Sequence, residues 1–278
     1  MAPQCYLNGV FLPVSEAKIG VYDLGLLRGF GIYEALTTFG RVPFRMQDHM
    51  ERFRRSATSL HIEIPVGDAE MAEILSRLVE SNVAQGKEAV IRIVLTGGAA
   101  IEGLRHNPKS PTLYVLVEEL TPLPAEVYEK GTNLTVFDFQ RQFPESKTTN
   151  YIQAVMLQDE RVRAGAIEIL YTAHGQVLEC ATSDFFIVKD GVLITAKDSI
   201  LYGITRKVTL ELARALMPVE ERDVSVEEMY AADEAFLTSS FKDIVPVVKV
   251  GERIIGDGHV GPHTKKLIEA FHTYAHAQ

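Results

Sequence analysis

Residues 176–206, QVLECATSDFFIVKDGVLITAKDSILYGITR, contain the pattern that decides the fold of this chain. Glu179 ends a short apolar strand, a hairpin follows, and Gly203, Ile204 and Thr205 then open an amphipathic helix. The start of a helix presents free backbone N–H groups and the positive end of the helix dipole, and a glycine before it lets the backbone approach an anion closely. This stretch therefore predicts a phosphate-binding site.

Glu179 indicates what else the ligand carries. A carboxylate at the end of a buried strand is costly unless it meets a cation or a proton on a ligand nitrogen. Glu179 and the helix start together favour a ligand that has a phosphate at one end and a basic nitrogen at the other.

The composition excludes several classes of protein. Hydrophobic residues make up 46% of the chain, the net charge is −9 and the pI is near 5.4, without a compensating basic block. This balance argues against a nucleic-acid or anionic-membrane surface. Cys5 and Cys180 form no spaced metal or disulfide framework, and the start MAPQCYLNGV lacks the pattern of a signal peptide. We therefore expect a reduced, cytoplasmic protein with no metal, nucleic-acid or membrane partner.

Two prolines mark a boundary within the chain. At 278 residues the chain is long for one simple core, which favours two α/β domains. Pro122 and Pro124 break both the helical and the strand periodicity. We predict a small N-terminal domain over residues 1–120, a linker over residues 121–126 and a larger C-terminal domain over residues 127–278.

The two predicted domains differ in their pattern. The first contains a hairpin over Cys5–Pro13 with its turn at Asn8-Gly9, a partly helical run LLRGFGIYEAL, a helix with Asp48 as its N-cap, a second helix over residues 68–85, and the strands AVIRIVLT and TLYVLVEEL. The second is rich in short strands, with helices predicted over residues 151–163, 206–217 and 262–275. Many short strands around a few helices indicate an α+β or barrel-like domain.

Lys147 is the candidate for covalent chemistry. It lies in PESKTTNYIQAVM, between a predicted strand and an amphipathic helix. A lysine that is partly desolvated in a cleft has a lowered pKa and an amine that can form a Schiff base; the alternative is an exposed loop charge. A phosphate site, an acid for a ligand nitrogen and a Schiff-base amine are the three anchors that pyridoxal phosphate requires.

These residues resemble the class IV aminotransferases, which are pyridoxal-phosphate enzymes of fold type IV. The resemblance covers nearly the whole chain, in order, through seven motifs: RGFGIYE, FRMQDHMERFRRSA, ESKTTNY, LECATSDFFIVKDG, GITR, EAFLTSS and GDGHVGPHTKKL. It implies a two-domain fold with a small N-terminal α/β domain and a larger C-terminal pseudo-barrel domain, and it implies a homodimer.

The resemblance also implies roles for particular residues. Lys147 would carry the cofactor as a Schiff base and move a proton between the substrate Cα and the cofactor C4′, while Glu179 would pair with the protonated pyridine nitrogen. Arg52 would clamp the phosphate; the alternative is a solvated arginine on a helix face. The further contacts to the phosphate would be Gly203, Ile204, Thr205 and Ser240; the alternative for Thr205 is a plain N-cap. Tyr151 would reach the cofactor oxygen O3′.

Two positions depart from the family pattern. Asp184 stands where the family often has asparagine. The residues after Lys147 read K-x-x-N, which is closer to D-amino-acid transaminases and aminodeoxychorismate lyase than to branched-chain enzymes, and this shifts the register of Tyr151.

Cations in the first half of the chain bear on the substrate. Arg92 lies on a strand between Val90 and Val94, and a charge among apolar neighbours favours a pocket over a solvated face. Arg28 and Lys242 could reach the same pocket. This combination resembles a less typical group of D-amino-acid transaminases, whose cations bind the carboxylates of D-glutamate and 2-oxoglutarate. The implied substrate-binding residues are Arg28, Arg92, Lys242, Ser239 and Phe241.

Three other functions stay open at this point. A branched-chain or (R)-amine transaminase would use Arg92 alone, with Arg28 in a dimer contact. A lyase acting on an aminodeoxychorismate-like substrate would share Lys147. A non-enzymatic phosphate-binding module would leave Lys147 exposed. The loop over residues 97–111 is either a lid or an exposed connector.

Overall fold

The computed structural model describes residues 2–277, which divide into two compact units. The first unit contains residues 2–121 together with Ser146–Tyr151, and the second contains Pro122–Glu145 and Ile152–Ala277. The segment that carries Lys147 thus belongs to the first unit, although the residues on both sides of it belong to the second.

The first unit is an antiparallel sheet with helices. Its strands are β1 (Gln4–Leu7), β2 (Val10–Pro13), β3 (Gly31–Phe39), β4 (Val42–Pro43), β5 (Ala89–Thr96) and β6 (Thr112–Glu119), in the order β2-β1-β6-β5-β3-β4. Its helices are α1 (Leu24–Arg28), α2 (Met46–Ser59) and α3 (Asp68–Asn82). The apolar sides of α2 and α3 and one face of the sheet form a single core, which includes Phe53, Leu75 and Ile91.

The predicted hairpin is confirmed. Asn8 and Gly9 both have positive φ, 46° and 92°, which is the conformation of the two-residue turn that matches the twist of paired strands. The run LLRGFGIYEAL is partly helical, as predicted, and its helical part ends at Arg28. Gly29 adopts a left-handed conformation with φ of 65° and ends α1, so the residues from Gly31 onward pair with β5 instead.

Asp48 is not an N-cap, contrary to the prediction. Helix α2 begins two residues earlier, at Met46, and its N-cap is Arg45 in a left-handed conformation. Asp48 lies in the first turn, where its carboxylate accepts a hydrogen bond from Arg45 Nε at 2.5 Å. A carboxylate in the first turn still stabilises the helix through its dipole.

The second unit contains a ten-stranded mixed sheet that curls into a half-barrel. The strands are β7 (Thr132–Asp138), β8 (Glu168–Ala173), β9 (Gln176–Cys180), β10 (Asp184–Lys189), β11 (Val192–Thr195), β12 (Val219–Glu221), β13 (Val224–Ser225), β14 (Glu234–Ser239), β15 (Asp243–Val250) and β16 (Arg253–Ile254). Their order is β12-β11-β10-β14-β15-β7-β8-β9-β13, with β16 paired to β15. The barrel-like pattern read from the sequence is therefore confirmed.

Six helices accompany this sheet among the described residues. They are α4 (Ala125–Lys130), α5 (Ile152–Met156), α6 (Gln158–Arg163), α7 (Ile204–Ala213), α8 (Val226–Tyr230) and α9 (Pro262–His276). Helix α4 starts directly after Pro124, so the last two residues of the predicted linker are helical. The single helix predicted over residues 151–163 is two short helices that break at Leu157.

No helix within the described residues is both long and apolar enough to cross a membrane. Across residues 2–277, no cluster of three or more His, Cys, Asp or Glu side chains could hold a metal ion.

Candidate active site

Lys147 lies on an extended segment that is held against β3. Its carbonyl accepts a hydrogen bond from the Tyr33 N–H at 2.9 Å, and its own N–H donates to Ser56 Oγ at 3.1 Å. Two residues later, the Thr149 N–H donates to the Gly31 carbonyl at 2.9 Å. The side chain of Lys147 is half-buried. Lys147 is therefore a fixed residue and not an exposed loop charge.

Two tyrosines lie beside this amine. Lys147 Nζ is 4.5 Å from the centre of the Tyr33 ring, and the Tyr33 and Tyr151 hydroxyls are hydrogen-bonded at 2.6 Å. A cation over an aromatic face is stabilised by the ring quadrupole. Tyr33 was missed by the sequence analysis, although it is the sixth residue of the motif RGFGIYE. Its position on β3, next to the Lys147 segment, follows from pairing between residues far apart in the sequence, which no local pattern indicates.

Arg52 is buried in an ion cluster of the first unit. Only 3% of Arg52 is exposed, so the alternative of a solvated helix arginine is wrong. Its Nε and Nη2 donate to the two carboxylate oxygens of Glu34 at 3.0 and 2.5 Å, and His49 Nδ1 lies 3.1 Å from Glu34 Oε1. This bidentate geometry fixes the guanidinium plane of Arg52.

The cluster shifts the proton affinities of its members. Burial by itself would raise the pKa of Glu34, but the Arg52 guanidinium and the His49 ring hold that pKa well below its usual range. Burial lowers the pKa of His49, and Glu34 offsets only part of this effect. Glu34 is therefore a carboxylate and His49 a neutral imidazole near neutral pH.

Glu179 lies in β9 of the second unit and is almost fully buried. Its Oε1 accepts hydrogen bonds from Arg141 Nε and Nη2 at 2.8 and 2.6 Å, and its Oε2 accepts one from the Leu201 N–H at 3.1 Å. Burial raises the pKa of Glu179 to about 7, and Arg141 and the Leu201 N–H act in the opposite direction. Arg141 was not singled out in the sequence, because no motif surrounds it.

The start of α7 has the features of an anion site. Gly203 is its N-cap, and no side chain caps the helix through that residue. A Cβ at position 203 would lie 1.9 Å from Asp184 Oδ2, so this position requires glycine. Thr205 is buried and is the second residue of the helix, so it is not the N-cap. The backbone N–H groups at Ile204 and Thr205 are donors of the kind that bind phosphate.

Another helix of the same unit shows the contrasting arrangement. Helix α9 also follows a glycine, Gly261, but the buried Glu234 carboxylate accepts hydrogen bonds from the N–H groups of His263 and Thr264 at 3.0 and 2.7 Å. The protein thus fills the start of α9 with the Glu234 carboxylate. At the start of α7 the N-cap Gly203 makes no side-chain cap, and the carboxylate next to it is that of Asp184.

Hydroxyl groups with unused hydrogen-bonding capacity lie at the end of β14. Thr238 Oγ1 and Ser239 Oγ are buried and have no hydrogen-bond partner among residues 2–277. Thr238 is directly opposite Asp184 in the pairing of β14 with β10, and Asp184 in turn contacts Gly203. Ser240, which follows, is half-buried. These donors fit an anionic ligand next to the start of α7.

The predicted substrate-binding cations all have local partners. Arg28 is exposed and donates to the Leu27 carbonyl at 2.8 Å. Arg92 pairs with Glu118 at 2.5 Å on the neighbouring strand, with 41% of the Arg92 side chain exposed. Lys242 Nζ pairs with the buried Glu168 at 2.6 Å. The remaining two predicted substrate contacts are half-buried: Ser239 is the last residue of β14, and Phe241 lies in the turn that follows it.

Comparison with known proteins identifies the family. The model of the amino-transferase class IV family matches residues 31–250. A protein of Methanocaldococcus jannaschii, provisionally named a branched-chain-amino-acid aminotransferase, is 35% identical over 96% of this chain and 94% of its own length. The D-alanine aminotransferase of Staphylococcus aureus (strain MSSA476) is 32% identical over 97% of this chain and 96% of its own length.

Solved structures agree with this result. The branched-chain amino acid aminotransferase of T.th. with pyridoxamine 5′-phosphate matches with a TM-score of 0.90 at 29% identity, over 100% of this chain and 95% of that one. The chain therefore belongs to the class IV aminotransferases, which are pyridoxal-phosphate-dependent enzymes of fold type IV.

Proposed function

We propose that this aminotransferase moves an amino group between a D-amino acid and a 2-oxo acid, of the D-glutamate/2-oxoglutarate or D-alanine/pyruvate type. The observation that carries the proposal is the link between Arg28 and the Lys147 segment. The carbonyl of Gly29, the residue after Arg28, accepts a hydrogen bond from Thr149 Oγ1 at 3.0 Å. The backbone next to Arg28 is thereby held against the segment that carries Lys147, which supports Arg28 as a residue that binds the substrate carboxylate. The relatives named D-alanine aminotransferases support the same function.

Each anchor of the cofactor has a matching residue in this chain. Pyridoxal phosphate supplies an electron-accepting ring and an aldehyde when it is bound. We propose that Lys147 provides the amine that binds the aldehyde and carries the proton at the substrate Cα, and that Glu179 holds the proton of the ring nitrogen. The backbone hydrogen bonds to Tyr33 and Ser56 hold the Lys147 segment in place, which supports Lys147 as the amine that binds the cofactor.

Backbone N–H groups and side-chain hydroxyls are the two kinds of phosphate donor in this proposal. We propose that the backbone at Gly203, Ile204 and Thr205 and the hydroxyl of Ser240 bind the phosphate, together with Arg52. The uncapped start of α7 and the buried hydroxyls of β14 support this part of the proposal. Tyr151, whose hydroxyl is already hydrogen-bonded to Tyr33, would contact the ring oxygen O3′.

The test is a screen of the first half-reaction. The full chain is mixed in turn with D-amino acids, L-amino acids and aromatic amines, and the absorbance of the lysine-bound cofactor is followed as it converts to the pyridoxamine form. D-glutamate or D-alanine should convert it faster than any L-amino acid. Arg28→Leu should slow the D-amino acids at least tenfold, because a charge-assisted carboxylate contact contributes about 1.5–3 kcal/mol. Equal or faster conversion by L-leucine or L-glutamate would refute D-specificity.

A second function, branched-chain L-amino-acid transamination, is favoured by one observation. Arg92 and Lys242 are paired with Glu118 and Glu168, so their charges are largely neutralised. Cations that are already neutralised are poor partners for a second substrate carboxylate, which favours a substrate with an apolar side chain. In that case L-leucine would be the faster donor, and Arg28→Leu would leave its rate unchanged.

We also propose a homodimer in the cytoplasm. Large apolar side chains are exposed on the first unit at Tyr22, Leu26, Ile101 and Leu104, and the Ala100 N–H donates to the Tyr22 carbonyl at 3.2 Å, so these segments are neighbours. Exposed apolar patches mark interfaces. Light scattering should give twice the chain mass; a monomeric mass would refute the dimer. The two buried free cysteines suit a reducing compartment.

A further inference from the structure

Arg141, in the second unit, contacts Glu179 but has no role in the function proposed above. Its Nε and Nη2 both donate to Glu179 Oε1, and Nη2 also donates to the Pro144 carbonyl at 2.6 Å. The pair is buried, with 11% of the Arg141 side chain and 8% of the Glu179 side chain exposed. One guanidinium thus joins the acid of β9 to a residue that precedes Lys147 by three positions in the sequence.

The hydrogen bonds are distributed unequally over the carboxylate of Glu179. Within residues 2–277, Oε1 accepts a hydrogen bond from Arg141 Nε at 2.8 Å and forms an ion pair with Arg141 Nη2 at 2.6 Å, whereas Oε2 accepts the N–H of Leu201. A carboxylate oxygen has two lone pairs, so Oε2 retains capacity to accept another hydrogen bond. Because the two donors hold Oε1 in one plane, they also fix the orientation of Oε2.

We propose that Arg141 is a positioning residue for transamination, which orients Glu179 so that Oε2 accepts the N–H of the cofactor's pyridine ring and whose positive charge favours the carboxylate over the neutral acid. This proposal rests on the proposed role of Glu179. An ionised carboxylate accepts the proton of the ring nitrogen, whereas a neutral carboxylic acid does not hold that nitrogen protonated.

The surrounding charges show why Glu179 needs this partner. Burial and the nearby Asp184 carboxylate both favour the protonated acid, and the groups that oppose them are the Arg141 guanidinium and the Leu201 N–H. Arg141 is therefore the cation that opposes protonation. A lysine could supply the charge but not the planar fork that reaches Glu179 Oε1 and the Pro144 carbonyl together.

The first measurement uses the full chain without cofactor. Carbon-13 NMR of labelled glutamate carboxyls gives the titration midpoint of Glu179, with Glu179→Gln identifying the resonance. We expect Arg141→Met to raise the midpoint by one pH unit or more, a tenfold gain in proton affinity equal to about 1.4 kcal/mol. Arg141→Lys should raise it less. An unchanged midpoint in both variants overturns the proposal.

A matched control is available in the same unit. Arg222 binds the Glu228 carboxylate with Nη1 and Nη2 at 2.9 and 2.7 Å, but this pair lies at the surface. Arg222→Met should leave the midpoint of Glu179 unchanged. If Arg141→Met does not fold, Arg141→Lys decides, because it keeps the charge and removes only the fork.

The second measurement uses the protein loaded with nitrogen-15-labelled pyridoxal phosphate. The chemical shift of the ring nitrogen should report a protonated nitrogen in the unaltered protein at pH 8 and an unprotonated one in Arg141→Met. If the ring nitrogen stays protonated in Arg141→Met, the proposal is wrong. If the unaltered protein does not bind the cofactor, or its ring nitrogen is unprotonated, the proposed role of Glu179 fails instead.

Discussion

Replacing Arg52 by alanine tests the buried ion cluster of the first unit. The Glu34 carboxylate is fully buried and accepts two hydrogen bonds from Arg52, so Arg52→Ala leaves a buried negative charge whose remaining neighbours include the Ala35 N–H and a neutral histidine but not the guanidinium. Removing one partner of a buried ion pair costs about 3–5 kcal/mol. Arg55 is an exposed arginine on the same helix, and Arg55→Ala should change the free energy of unfolding by no more than about 0.5 kcal/mol.

The assay is urea unfolding of the cofactor-free chain at pH 7.5, followed by circular dichroism. Replacing both charged residues, as Glu34→Leu with Arg52→Met, should recover most of the lost free energy, because no uncompensated charge remains. If Arg52→Ala loses as little unfolding free energy as Arg55→Ala, the prediction is wrong, because the buried Arg52–Glu34 pair would then stabilise the fold no more than an exposed arginine does.

The same cluster predicts the sign of a pH effect. Arg52 lowers the pKa of Glu34 below its value in the unfolded chain, so the contribution of the pair is complete above the unfolded pKa and is lost as the pH falls toward the folded one. The difference in unfolding free energy between the unaltered chain and Arg52→Ala should therefore shrink in acid. A difference that grows as the pH falls would contradict this assignment.

Three further predictions concern the cofactor anchors. Gly203→Ala should weaken binding of pyridoxal phosphate more than tenfold in a spectroscopic titration, because its Cβ would collide with Asp184. The control is Gly67→Ala, at a helix N-cap with open space around it, which should bind the cofactor normally. Borohydride should fix the cofactor onto Lys147 in the unaltered chain and onto no residue of Lys147→Ala, as peptide mass mapping will show; labelling elsewhere would contradict the role of Lys147. The pKa of Glu179 is raised to about 7, so the folded form binds its proton more tightly than the unfolded form, and stability is lost as the pH rises from about 4.5 through 7. Glu179→Gln should remove up to about 3 kcal/mol of this dependence of the unfolding free energy on pH. The same pH profile in both proteins would refute the raised pKa.

Local patterns predicted those parts of the fold whose determinants are close in the sequence. The Asn8-Gly9 turn, the strand AVIRIVLT and the glycine before α7 each carry their own signal, and all three are found as predicted. The partly helical run LLRGFGIYEAL was predicted without the point at which its helix ends, because IYEAL suits a helix as well as a strand. The strand form of IYEAL depends on pairing with β5, more than 50 residues later, which no local pattern contains.

Site residues could likewise be predicted only where the signal lies close to them in the sequence. Lys147 and Glu179 are the candidates that a family motif or an unusual burial predicts. Arg141 and Glu34 were not predicted, because their roles come from a partner that is 38 or 18 residues away. An arginine or a glutamate is common at surfaces, and only the fold shows that these two are buried and paired.

Helices α7 and α9 show how a fold can turn one local signal into two different structures. Each helix follows a glycine, and in each case an added Cβ would collide with a carboxylate, that of Asp184 for Gly203 and that of Glu234 for Gly261. Glu234 accepts hydrogen bonds from the first N–H groups of α9, so that start is already occupied by the chain itself. Read as sequence, GITR and GPHT both place a glycine before a helix, although Pro262 has no N–H to donate. A second difference lies in Glu234, 27 residues before Gly261, and for both reasons we expect the phosphate at α7 and not at α9.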